Sequence, residues 1–132
     1  TSSGAGLAIP GPGGGAGFLY HLSKYAVVGL SESLRSELAP VGIGVSVLCP
    51  GLVATNIQDT TAVTRPAGVF RPPPELVEQR KQLLARGTHP DDVGRMVLAA
   101  VQHDRPFVHT DRLMEPFVRE RSDTILAAMP PA

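Results

Sequence analysis

Residues 19–49 constrain the fold of this chain more than any other stretch. "LYHLSKYAVVGLSESLRSELA" (19–39) places Leu22, Ala26, Leu30, Leu34 and Leu38 at intervals of four, with Glu32, Arg35 and Glu37 off that stripe. The spacing predicts an amphipathic helix. Pro40 and Gly42 end it, since a proline disfavours helix in the residue before it. "IGVSVLC" (43–49) follows, short, rich in β-branched residues and closed by Pro50–Gly51. It predicts a strand with Ile43, Val45 and Val47 on one face, and with Gly44, Ser46 and Leu48 leaving the other open to a closely packed helix. A strand covered on both faces belongs to a parallel sheet. Helix, short turn and strand make half of a βαβ unit, so the chain is expected to be α/β.

The remaining elements are signalled less evenly. Residues 52–73 carry no sustained period and end in "RPPP", a stiff lead-in to a helix rather than a polyproline ligand. Glu75 to Arg86 predicts a helix with Leu76, Leu83 and Leu84 apolar and Gly87 at its stop. A better-marked helix opens at Pro90, with Asp91 and Asp92 at the positive end of its dipole. Val93, Val97 and Val101, beside Met96 and Ala100, are expected to form its inner face. "PFVHT" (106–110) predicts a short strand that starts with a proline, and a last helix is expected over 112–128 with Pro116 in its first turn. The 14 glycines and 13 prolines cluster at 4–17, 40–51 and 66–74, as punctuation between these elements.

Composition removes several functions. A chain of 132 residues has the length of one domain, and 12 basic against 12 acidic residues leave no footprint for nucleic acid or an anionic membrane. Cys49 is the single cysteine, which rules out an internal disulfide and predicts a small buried apolar residue. His21, His89, His103 and His109 lie at spacings without metal logic, so no metal site is expected. Apolar runs fall far short of the roughly 20 residues of a spanning helix. No charged-then-apolar leader precedes them, and a cytoplasmic protein is expected.

Two motifs compete to carry chemistry. "GPGGGAG" (11–17) satisfies the spacing of a dinucleotide phosphate loop. That loop works by following a strand and opening a helix whose free N–H groups face a pyrophosphate. Here "AGLAIP" is a poor strand, Pro12 lacks an N–H, and no acidic residue stands at a strand end about 20 positions on. A surface loop is the better reading. The rival is Tyr20 and Lys24 in "YHLSK", one helical turn apart on a shared face. An ammonium beside a phenol favours the phenolate and lets it exchange protons near neutrality. The plain alternative is a tyrosine packed beside a lysine stem, and the neighbouring sequence decides between them.

Those neighbours are "SSGAGL" (2–7) upstream, "CPG" (49–51) with Thr55 after the next strand, and "HPDDVGRMVLAAV" (89–101) later. In this order, with these elements between them, they resemble the short-chain dehydrogenases/reductases along essentially the whole chain. The resemblance implies a doubly wound Rossmann-like parallel sheet and an NAD or NADP cofactor. It implies a small alcohol or ketone as substrate, and a homo-oligomeric dimer or tetramer as parent. It makes Tyr20 the general acid/base, Lys24 the group that favours its phenolate and holds the nicotinamide ribose, and Ser3 the holder of the substrate oxygen. Thr55 and the backbone after Pro50, through Gly51 and Val53, would contact the nicotinamide amide.

Two departures qualify the resemblance. Ser3 and Tyr20 lie farther apart than the family's serine and tyrosine, with the additional residues in the glycine run, which leaves Ser2 as the alternative active-site serine. The family's glycine-rich turn, its selector for the ribose 2′ position and its Asn-Asn-Ala-Gly segment precede the serine and are not in this sequence. Residues 1–132 are therefore expected to be the C-terminal half of such a domain, with 56–87 as a lid. Ile57, Val69, Phe70, Leu76 and Leu83 point to a partly apolar substrate. A non-catalytic relative that uses the scaffold for association is the alternative.

Overall fold

The computed structural model describes residues 1–11, 17–68 and 71–131. In chain order the elements are a 3₁₀ turn (Gly4–Gly6), α1 (Phe18–Leu38), a second 3₁₀ turn (Ala39–Val41), β1 (Val47–Cys49), α2 (Ile57–Thr64), α3 (Pro74–Leu84), α4 (Pro90–Gln102), β2 (Phe107–His109) and α5 (Glu115–Ala127). β1 and β2 run parallel, with Val47 opposite Phe107 and Cys49 opposite His109. The crossover between them passes through α2, α3 and α4, as the α/β reading requires. A further edge precedes β1 in space. Ser2 N–H donates to Leu48 O at 2.7 Å and Gly4 N–H to Pro50 O at 2.8 Å, the two-residue stagger of a parallel neighbour.

Val28 of α1 packs on Val47 and Cys49, with Leu7, Val27 and Phe107 around them. By strand alternation the buried Val108 faces the other way, and α4 packs on β2. The described helices thus cover a sheet whose strand ends lie together.

The packed face of α1 is not the leucine stripe. An amphipathic pattern would turn Leu22, Leu30 and Leu34 to the core, yet they are 66%, 60% and 38% exposed. His21 and Val28 are buried instead, with Lys24, Tyr25, Ser31 and Arg35 half-buried along the same side. The helix carries two apolar-capable faces, and the one with smaller or hydrogen-bonding side chains admits the closer neighbour. Gly6 shows how close that approach is: a Cβ there would stand 2.6 Å from the Lys24 carbonyl oxygen. In α4 the inner face is Val93, Val97 and Ala100, while Val101 is 62% exposed. Eight residues on from Val93 a helix has turned roughly 80° too far.

The first strand is shorter than 43–49. The Arg35 guanidinium donates to Val45 O at 2.9 Å and so takes the carbonyl a longer ladder would use, while Ile43 is 52% exposed. The same guanidinium grips Asp104, at 2.8 Å to Oδ1 and 2.7 Å to Oδ2. Asp104 sits at φ 49°, in the left-handed region, just past the end of α4. α2 lies where no period is visible in the sequence. Thr61 and Thr64 donate their hydroxyls to carbonyls one turn back, Ile57 O at 2.7 Å and Thr60 O at 2.9 Å, so these polar groups are satisfied within the helix. In the last helix Pro116 stands in the first turn.

Candidate active site

The segment that carries Ser3 lies between the bend after β1 and the helix that carries Tyr20 and Lys24. Strand-like bonds from Ser2 and Gly4 to Leu48 and Pro50 hold Ser3 beside the Pro50–Gly51 bend. On its other side the same segment is tied to α1. Ser2 Oγ donates to Lys24 O at 2.8 Å, and His21 Nδ1–H donates to Ala5 O at 2.9 Å. A carbonyl can only accept, so the bond fixes the His21 tautomer with its proton on Nδ1. The serine segment is thereby clamped between the helix that carries Tyr20 and Lys24 and the bend that begins the loop to Thr55.

The two serines are placed for different work. Ser2 is 3% exposed and spends its hydroxyl proton on Lys24 O. Ser3 accepts from Ala5 N–H at 3.2 Å, as the cap of the 3₁₀ turn, which keeps its hydroxyl proton available to another acceptor. Tyr20 is 44% exposed near the start of α1. The Lys24 ammonium stands 5.5 Å from the Tyr20 ring centroid and has no carboxylate partner among the described residues. Thr55 is exposed, and its N–H turns back to Val53 O at 2.8 Å.

The segment expected to cover the site leaves and returns through one stitch. Val53 bridges Thr88 in parallel, Ala54 N–H donates to Thr88 O at 3.0 Å, and Thr88 N–H donates to Leu52 O at 3.0 Å. Between these ends α2 and α3 pack on each other and are joined by an Asp59–Lys81 ion pair. Ile57, Leu76 and Leu83 lie on them, all exposed. Val69 and Phe70 lie outside the described residues, as do residues 12–16 of the glycine run.

For His21 the sequence left a structural role and solvent exposure both open, and the residue proves buried. Sequence reasoning missed Thr88, Thr110 and Asp111, which hold the loop after β1. The only signal for His21 was its position one residue after Tyr20, facing a segment of small residues. His89 caps α4 through its ring, accepting from Asp91 N–H at 3.3 Å. His109 is exposed and stacks on Phe107 with centroids 6.0 Å apart. Among the described residues no three His, Cys, Asp or Glu side chains gather in a way that could hold a metal ion.

The short chain dehydrogenase family model matches residues 1–65, which contain the serine segment, the Tyr20–Lys24 turn and the loop after Pro50. Probable oxidoreductase EphD of Mycobacterium tuberculosis is 33% identical over 92 residues, covering 66% of this chain and 15% of EphD. Oxidoreductase UcpA of Salmonella typhimurium is 40% identical over 78 residues, covering 58% of this chain and 29% of UcpA. A short chain dehydrogenase/reductase from Burkholderia phymatum, solved in complex with NAD, superposes with a TM-score of 0.76 at 28% identity. That match covers 99% of this chain and 48% of the other. The chain spans less than half the length of each of these relatives. With its motif-bearing residues matched and its fold shared almost from end to end, the chain belongs to the short-chain dehydrogenase/reductase family.

Proposed function

We propose that residues 1–132 are the catalytic and substrate-binding C-terminal half of an NAD(P)-dependent oxidoreductase that interconverts an alcohol and a ketone. The observation that carries this reading is the double attachment of the Ser3 segment, to Lys24 and Ala5–His21 on one side and to Leu48 and Pro50 on the other. The reading brings the Ser3 hydroxyl, the Tyr20 phenol and the Lys24 ammonium to the carboxyl ends of the parallel strands. Ligands of open parallel sheets sit there.

The donor set suits a nicotinamide cofactor. Lys24 is free of acidic partners among the described residues and offers an ammonium to a ribose hydroxyl. The backbone of Gly51 and Val53 and the side chain of Thr55 offer polar groups to the amide end. When bound, a nicotinamide ring accepts or supplies the hydride. Tyr20 moves the matching proton at its phenolic oxygen, taking it from an alcohol or giving it to a ketone. Lys24 stabilises negative charge on that oxygen while the proton is away. Ser3 donates to the substrate oxygen, whose charge changes most as the hydride moves. The lid of residues 56–87 closes over the substrate, with Ile57, Leu76 and Leu83 favouring one that is partly apolar.

The reading carries a cytoplasmic homo-oligomer with it. The exposed Leu22–Leu34 side of α1 is the surface that the rest of the domain or a second subunit would cover. No helix among the described residues is long and apolar enough to cross a membrane. The test is an assay of the full-length protein with a panel of alcohols and ketones, following the absorbance of the reduced nicotinamide. The expected result is turnover with NAD(H) or NADP(H) that Ser3→Ala reduces. A protein that binds neither cofactor saturably overturns the reading.

A further inference from the structure

The loop proposed to face the nicotinamide does not hold its own shape. Pro50 has no N–H, and the two amides that follow it find their acceptors on the far side of the crossover. Gly51 N–H donates to Thr110 Oγ1 at 3.0 Å, and Leu52 N–H donates to Asp111 Oδ2 at 2.9 Å. The other carboxylate oxygen, Asp111 Oδ1, accepts from Leu113 N–H at 3.0 Å, at the approach to α5. Thr110 in turn points its hydroxyl at Asp111 Oδ2, at 3.4 Å, and Thr88 donates to Thr110 O at 3.0 Å. One half-buried carboxylate therefore joins the loop after β1 to the end of β2 and to the start of α5.

The fit leaves little freedom. The Asp111 carboxylate occupies the space a Cβ at position 51 would need, so any side chain there would have to displace it. An ionised carboxylate accepts at both oxygens, which lets Leu52 and Leu113 be held together; an amide offers one acceptor and would keep one of them. Nothing else among the described residues accepts the Leu52 N–H.

We propose that Asp111 is a positioning residue for cofactor binding: by fixing Leu52 directly, beside the Gly51 that Thr110 holds, it sets the course of the loop through Val53 to Thr55, and so the shape of the nicotinamide end of the site. The inference rests on the function proposed above and adds to it a residue that does not touch the cofactor. Its effect should fall on the nicotinamide half of the ligand and spare the adenosine half, which binds elsewhere in the domain.

The experiment compares wild type, Asp111→Asn and Asp111→Ala in the full-length protein by calorimetry. The probes are the complete nicotinamide dinucleotide and ADP-ribose, which lacks the nicotinamide ring. Asp111→Ala is expected to weaken the dinucleotide by about 10–100-fold, the loss of charge-assisted bonds, with ADP-ribose within about threefold. Asp111→Asn should fall between, and it decides the matter if the alanine variant does not fold. Equal weakening of both ligands, or of neither, overturns the role given to Asp111. Amide hydrogen exchange reads the clamp without any ligand. Leu52 and Leu113 should exchange faster in the alanine variant, and unchanged protection at Leu52 overturns the clamp alone. A wild type that binds no dinucleotide while Leu52 protection depends on Asp111 overturns the proposed function, and the cofactor role of the clamp with it.

Discussion

Ser2 gives its hydroxyl proton to the backbone carbonyl of Lys24 across 2.8 Å, while its neighbour Ser3 keeps a proton to give. The bond separates the two serines by role. Ser2 holds the serine segment against the turn of helix that carries Tyr20 and Lys24, and Ser3 is left at the surface of the site. Ser3→Ala is expected to lower turnover by about 10²–10³, the usual loss when one donor to a charge-bearing oxygen is removed. Ser2→Ala should instead destabilise the fold by about 0.5–1.5 kcal/mol, because the serine segment loses its bond to the Lys24 carbonyl. Thermal melts beside steady-state rates check this, and a reversed pattern would make Ser2 the active-site serine.

Cys49 reports on the same packing. It is 2% exposed beneath Val28, and burial pushes its thiol above the ordinary range. Alkylation by iodoacetamide is expected to be slow in the native protein at neutral pH and fast after unfolding, since the thiolate is the reactive form. Mass spectrometry of the labelled protein follows both rates. Rapid native labelling would contradict the core described here.

The Arg35–Asp104 pair joins α1 to the turn before β2, and its contribution should depend on pH in one direction. Hydrogen bonding to Arg35 holds the Asp104 carboxyl below its ordinary range. Stability from this group is therefore present above the unfolded carboxyl's pKa of about 3.9 and is lost as pH falls through the lowered folded value. Asp104→Asn should lower the melting temperature slightly at neutral pH, because an exposed pair is screened by solvent and salt. Its gap to wild type should hold down to about pH 4 and close in stronger acid. A gap that stays open at low pH would mean that Asp104 does not act through its charge.

Much of the scaffold was legible in the sequence. The period of residues 19–39, its stop at Pro40 and the strand ending at Cys49 needed only local rules, and so did Pro90 opening α4. The face of α1 that packs was not legible. Periodicity identifies a helix, but which side is covered depends on what arrives, and here the serine segment and Val47–Cys49 select His21 and Val28 over the leucines. α2 escaped because its threonines spend their hydroxyls within the helix, which no hydrophobic pattern records. Of the site, Ser3, Tyr20, Lys24 and the Pro50 bend were visible as motifs. The Asp111 clamp was not, because Leu52 and Asp111 are 59 residues apart and meet only when β1 and β2 pair.

Lys24 is expected to serve two ends at once. Lys24→Met keeps the stem and removes the ammonium that faces the Tyr20 ring at 5.5 Å. Turnover should fall, since negative charge that develops on the phenolic oxygen as the proton moves loses a stabilising cation. Cofactor affinity should fall in the same variant through the lost ribose contact. Rate profiles and cofactor titrations of one preparation test both effects. A variant that shifts neither leaves Lys24 without a part in the reaction.

The most direct measurement is turnover by Tyr20→Phe in the full-length protein, across the pH range and beside a cofactor titration. Phenylalanine keeps the ring at the start of α1 and removes only the oxygen proposed to exchange the proton. Turnover is expected to fall by about 10²–10⁴, the range for a positioned acid/base, with cofactor affinity within a few-fold of wild type. A variant that turns over at close to the wild-type rate at every pH would contradict the account, and "YHLSK" would then be only the opening turn of a helix.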